Sequence, residues 1–126
     1  MDKKIIHTDK APLPIGPYSQ AVISNNMVFI SGQIALNPQT NELVNSDIET
    51  ETHQVMRNLD EILTEAGINF NHAVKTTIFL SDMSLFGKVN EVYGSYFSNE
   101  YPARETVAVK GLPKNVNVEI SMIAAM

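Results

Sequence analysis

The 126-residue chain contains no cysteine. That absence removes disulfides, thiolate metal ligands and a thiol nucleophile together, and it fits a reducing compartment. Positive charge is scarce as well: nine lysines and arginines against fourteen aspartates and glutamates leave a formal charge of -5. Affinity for nucleic acid comes mainly from neutralising phosphates, so RNA or DNA is an unfavourable partner. There is no glycine-rich phosphate loop, GxGxxG turn or GxSxG elbow, which leaves bound nucleotides and serine-triad hydrolysis unsupported. His7, His53 and His72 are scattered without HxH or HExxH spacing and predict no metal site. The opening MDKKIIHTDKAP lacks the apolar run of a secretory leader, and no stretch is long enough to span a bilayer. The expectation is a cytosolic protein with no membrane partner.

What is present is a chain with 44% hydrophobic residues and no internal repeat, low-complexity tract or long linker. It reads as one domain over residues 1–126, since a chain of this length buries roughly two-thirds of its unfolded surface. After the short apolar start IIH, the three prolines of KAPLPIGP exclude regular structure. YSQAVIS (18–24) and MVFISGQIAL (27–36) read as a hairpin turning at Asn25-Asn26. From Ser46 the period changes to that of a helix. Ser46 and Glu49 form a capping-box pattern, Ile48, Val55, Leu59, Ile62 and Ala66 share a face, and Gly67 marks the stop. HAVKTTIFL (72–80) is strand-like. A second helix, capped by Asp82 or Ser84, carries Phe86, Val89, Tyr93 and Phe97 on its inner stripe and ends at Tyr101-Pro102. Strands near 104–110 and 116–124 flank the turn GLPKN.

This order predicts an α+β fold, a single mixed sheet with two helices on one face. AVKTTIFL and MVFISGQIAL are apolar at neighbouring positions, which period 2 sends to opposite sides of the sheet. Two helices cover one face only. The other is expected to pack on further copies of the chain, giving a homo-oligomer.

Arg104 is one of two arginines, placed just after Pro102 at the head of a strand. With the valines assigned to the helix side, alternation sends Arg104, Thr106 and Ala108 to the bare face, together with Glu119 from the last strand. A guanidinium donates two parallel hydrogen bonds to a carboxylate and does not titrate, so a small carboxylic acid is one natural ligand. Glu119 would then act as general acid or base, or place a water. The competing reading is a structural Arg104–Glu119 ion pair in a subunit interface. Tyr18, after Gly16-Pro17, either reaches the edge of a site or packs on the core rim. Gly32, in Ser31-Gly32-Gln33, marks either a close approach or a bulge. Asn90 falls on the stripe of Phe86 and Tyr93, where an amide needs a partner, usually backbone.

Taken together, GPYSQAV, SGQI, NEVYGSYF and PARETV followed by LPKNVNVEI resemble the Rid family, the reactive intermediate deaminases also called the YjgF family. The resemblance runs almost the whole chain. It implies a chorismate-mutase-like subunit in a trimeric barrel with three inter-subunit clefts. It also implies hydrolysis of enamines and imines such as 2-aminoacrylate or 2-iminobutanoate to 2-keto acids and ammonia, with no metal or organic cofactor. On this sequence the resemblance gives Arg104 as carboxylate clamp, Glu119 as the group that positions or activates water, and Tyr18 as the residue closing the cleft. Ser31, Gly32 and Asn90 line or support it, and the backbone of Thr106 contacts substrate. Two residues depart from the pattern: Glu105 and Thr106 stand where members with this activity commonly have a small residue and a cysteine. Glu105 is a possible competitor for Arg104. A trimer that senses 2-keto acids and modulates a partner protein is the alternative function, and endoribonuclease activity is disfavoured by the acidic composition.

Overall fold

The computed structural model describes residues 2–126. Its sheet has six strands: β1 (Lys3–Ile6), β2 (Ala21–Ser24), β3 (Met27–Gln33), β4 (Ala73–Leu80), β5 (Ala103–Ala108) and β6 (Val118–Ala125). The spatial order is β1-β2-β3-β6-β4-β5, all antiparallel except the β4–β5 pair. Two helices, α1 (Ile48–Glu65) and α2 (Phe86–Gly94), complete the expected α+β fold. No helix among the described residues is long and apolar enough to cross a membrane.

The β2–β3 hairpin turns where the sequence places it. Asn25 and Asn26 both take positive φ (51° and 61°), the left-handed pair that a two-residue hairpin requires and asparagine tolerates. Helix α1 starts one residue later than the capping pattern implies. Asp47, not Ser46, is extended and accepts the Thr50 N–H at 2.7 Å. Val55, Leu59 and Ile62 of α1 are fully buried against Val28, Ile78, Ile120 and Met122 of the sheet. Each such side chain contributes roughly 1.5–3 kcal/mol through apolar area removed from water.

Asp82 caps a single 3₁₀ turn, accepting from Ser84 N–H at 2.7 Å, and α2 continues from it. The helix stops at Gly94 rather than at Tyr101-Pro102. The Ser95 hydroxyl donates to Val92 O at 2.6 Å, and Tyr96 and Phe97 close i→i+3 turns on Tyr93 and Gly94. Phe97 is nevertheless buried, because its ring packs on those of Tyr93 (5.0 Å) and Phe70 (5.6 Å).

The face without helices carries an apolar row across four strands: Ile5, Val22, Phe29 and Ile123 are successive register partners. Ile5 is 50% and Phe29 46% exposed. Val107 lies on this face too, 43% exposed, and not on the helix side as the sequence reading places it. The register gives the reason. Thr76, Ile78 and Leu80 of β4 are buried beneath the helices, and their parallel partners on β5 are Arg104, Thr106 and Ala108. Those three therefore share the helix side. On an edge strand with few apolar residues the two phases look alike in sequence, and the valines point to the wrong one.

Candidate functional site

Arg104 and Glu119 lie on opposite faces of the sheet, so the structural ion pair does not form within one chain. On the helix side, Arg104 Nη1 donates to Asn90 Oδ1 at 2.7 Å, and its guanidinium carbon lies 5.1 Å from the Tyr93 ring centroid and 5.6 Å from that of Phe86. No carboxylate reaches Arg104 among the described residues. Asn90 is thus exposed and engages a side chain rather than backbone. Asn90, Tyr93, Gly94, Tyr101, Pro102 and Arg104 line a cleft of about 400 Å³. Glu105 does not compete for the arginine. It points to the bare face, where it accepts from Thr77 Oγ1 at 2.9 Å and pairs with Lys75 at 3.2 Å; the Thr77 bond first, then Lys75, hold its carboxyl below the usual range.

Thr106 belongs with Arg104. Its hydroxyl oxygen is buried with no hydrogen-bond partner among the described residues. Its backbone faces outward for a reason of register. Val109 donates its N–H to Leu80 O at 2.9 Å. In a parallel ladder a residue bonds one neighbouring strand with both its N–H and its C=O, and the next residue turns both the other way. The parity set by Val109 therefore directs the N–H and C=O of Arg104, Thr106 and Ala108 to the open edge of β5, the last strand of the sheet.

The remaining expected site residues gather on the other side. Ser31 and Gly32 form a bulge: Ile30 pairs with Met122 and Gln33 with Ile120, so two residues of β3 oppose the single Ser121. The Ser31 hydroxyl donates to Ser19 O at 2.6 Å and its N–H to Gln20 O at 2.9 Å, tying the bulge to the segment before β2. Glu119 leans on the bulge. A β-carbon added to Gly32 would lie 2.8 Å from Glu119 Cδ and 3.0 Å from Cγ, so the bulge and the close approach are one feature. Glu119 has no side-chain partner among the described residues, and burial holds its carboxyl above the usual range. Tyr18 is half exposed, its ring against Gly16 rather than on the core rim. It lines a small depression with Gly32 and Lys114.

Three supporting contacts escape a reading of the sequence. Gln20, buried, accepts from Thr8 N–H and donates to the carbonyls of Thr8 and Pro12, stapling the proline-rich loop that carries Tyr18. Glu51, fully buried on α1, accepts from Asn117 N–H (2.8 Å) and Nδ2 (2.9 Å), fixing the chain two residues before Glu119. Tyr93, read as core, also walls the arginine cleft. No local signal in the sequence points to any of these: a glutamine, a glutamate or a tyrosine on an amphipathic segment reads the same whether or not it finds a distant partner. No group of three or more His, Asp or Glu side chains among the described residues could hold a metal.

Comparison with known proteins gives this arrangement its lineage. The chain is 48% identical to a RutC family protein of Pyrococcus abyssi over 98% of both chains. It is 48% identical to the 2-iminobutanoate/2-iminopropanoate deaminase of Mus musculus, over 97% of this chain and 90% of that one. It is 50% identical to a Lactococcus lactis protein named as a regulator, AldR, over 96% of both. Among solved structures, a Rid family protein of unknown function from Yersinia pestis superposes with a TM-score of 0.97 at 46% identity, covering 99% of this chain and 100% of that one. Escherichia coli TdcF with bound serine superposes with a TM-score of 0.93 at 40% identity over 98% of both. With the family described as Endoribonuclease L-PSP matching residues 8–126, the chain belongs to that family, the Rid or YjgF family its motifs resemble.

Proposed function

We propose that the protein is a cofactor-independent deaminase that hydrolyses small 2-imino acids, such as 2-iminobutanoate and 2-iminopropanoate, to 2-keto acids and ammonia, in clefts shared between subunits of a homotrimer. One observation carries the reading: among the described residues, an arginine with no carboxylate and a partly buried carboxylate with no cation lie on opposite faces of one subunit. Both are left incomplete by their own chain. A neighbouring copy packed on the bare apolar face and the open β5 edge brings the Glu119 face of one subunit to the Arg104 cleft of the next.

In such a cleft Arg104 binds the substrate carboxylate, and the outward N–H of Thr106 donates to the same group. Water adds its oxygen to the imine carbon while one of its protons passes to Glu119 and on to nitrogen. The C–N bond of the carbinolamine then breaks, the hydroxyl proton leaves with ammonia, and the keto acid remains. Glu119, held above the usual carboxylate range by burial, is a stronger base than an exposed glutamate. Tyr18 closes the cleft from its stapled loop. The mouse relative named as an imine deaminase supports this reading.

A second reading, a 2-keto-acid sensor that modulates a partner protein, has the Lactococcus relative in its favour. The cleft presents a single guanidinium, and the chain's charge of -5 opposes an RNA substrate. Adding the protein to a threonine dehydratase reaction separates the readings. A deaminase accelerates ammonia and 2-ketobutyrate release in the presence of a chelator; a sensor leaves the rate unchanged.

A further inference from the structure

Arg104 is held by a frame that its binding role does not by itself explain. Two ring faces, Tyr93 at 5.1 Å and Phe86 at 5.6 Å, lie within the ~6 Å at which an aromatic quadrupole attracts a cation. Tyr93 is in turn fixed. Its hydroxyl lies 2.7 Å from Thr76 Oγ1 on β4, both residues are buried, and its ring packs on Phe97 at 5.0 Å. Asn90 accepts from one guanidinium N–H. Rings and an amide hold an arginine without cancelling its charge, whereas a carboxylate in their place would hold it and neutralise it. The remaining N–H groups stay available to the cleft that Arg104, Tyr93 and Asn90 line together.

We infer that Tyr93, assisted by Phe86, is the positioning residue for Arg104: the two ring faces order the guanidinium and leave its charge free for the carboxylate of a 2-imino or 2-keto acid. The inference rests on the carboxylate-clamp reading, and its first readout is independent of any ligand. In the nuclear magnetic resonance spectrum of the assembled protein, the Arg104 δ-methylene and Nε–H protons are expected upfield through the ring current. The shift persists in Tyr93→Phe and is reduced in Tyr93→Leu, where the Phe86 ring remains. For 2-ketobutyrate, Kd rises about 3- to 30-fold in Tyr93→Leu, the range of a cation–π contact at a partly desolvated site. KM rises with it while kcat stays within about twofold, because uniform binding is what is removed. Phe86→Leu, at a half-buried surface position, moves both readouts in the same direction and carries the test if Tyr93→Leu does not fold. Arg104 resonances and affinity unchanged in a folded Tyr93→Leu or Phe86→Leu overturn the inference. A ring-current shift without 2-ketobutyrate binding in the wild type supports the positioning of Arg104 and overturns the clamp reading alone.

Discussion

The carboxylate of Glu119 occupies the space beside Gly32 that a β-carbon at position 32 would need. The β3 bulge thus both shapes the strand and seats the proposed base. Its φ is not in the left-handed region, so the demand for glycine here comes from the neighbour rather than from backbone strain. Gly32→Ala is expected to keep the fold and displace the carboxylate. A misplacement near 1 Å costs about 100-fold in rate. The check is kcat alongside thermal unfolding: lost rate with Tm within a few degrees of wild type fits, and full activity refutes the seat.

Acidity gives a second check. The Glu119 carboxyl is raised above its usual 4.5 by burial, and the proposed mechanism needs it ionised to receive a proton from water. As pH falls through that raised value the base becomes protonated, so activity is lost at a pH above the range where an exposed glutamate would titrate. The acid limb of the kcat/KM profile should lie above 4.5 and vanish in Glu119→Gln, which itself loses about 100- to 10,000-fold in rate. An acid limb at or below 4.5, or one that survives the substitution, contradicts the assignment.

Thr106→Val tests the orphaned hydroxyl. A buried hydroxyl without a partner costs about 1–3 kcal/mol, so its removal should raise Tm by several degrees. A lower Tm would show that the hydroxyl finds a partner in the assembled protein.

The element order, the hairpin at Asn25-Asn26 and the Asp82 cap were legible because each rests on a local signal: turn residues, a capping side chain, a change of hydrophobic period. The bare face was legible for the same reason, since period 2 places Phe29 and Ile30 on opposite sides. The site residues were legible as residues, though not as a place. Which side Arg104 occupies depends on the β4–β5 register, a tertiary fact that the pattern ARETVA does not encode, and the valines misled. Gln20 and Glu51 stayed hidden because a buried polar side chain is recognised only once its backbone partners, twelve and sixty-six residues away, are in place.

Assembly is the next requirement. Among the described residues, the exposed Ile5, Phe29 and Val107 and the unpaired β5 edge call for a partner surface, and the proposed homotrimer predicts that light scattering at micromolar concentration reports three chains. Phe29→Glu places a charge in that face and should dissociate the assembly and abolish activity together. An active monomer would remove the need for shared clefts.

Complementation between inactive subunits tests the shared site most directly. Arg104→Ala and Glu119→Gln each disable every cleft of a homotrimer built from one variant alone. When the two are refolded together in equal amounts, a cleft that takes Arg104 from one chain and Glu119 from the next receives both intact in about one case in four, because the two contributions are drawn independently. The account predicts that the mixture regains about a quarter of wild-type activity for 2-iminobutanoate hydrolysis, well above either variant. A mixed assembly, verified by mass, that is no more active than its parents would contradict it.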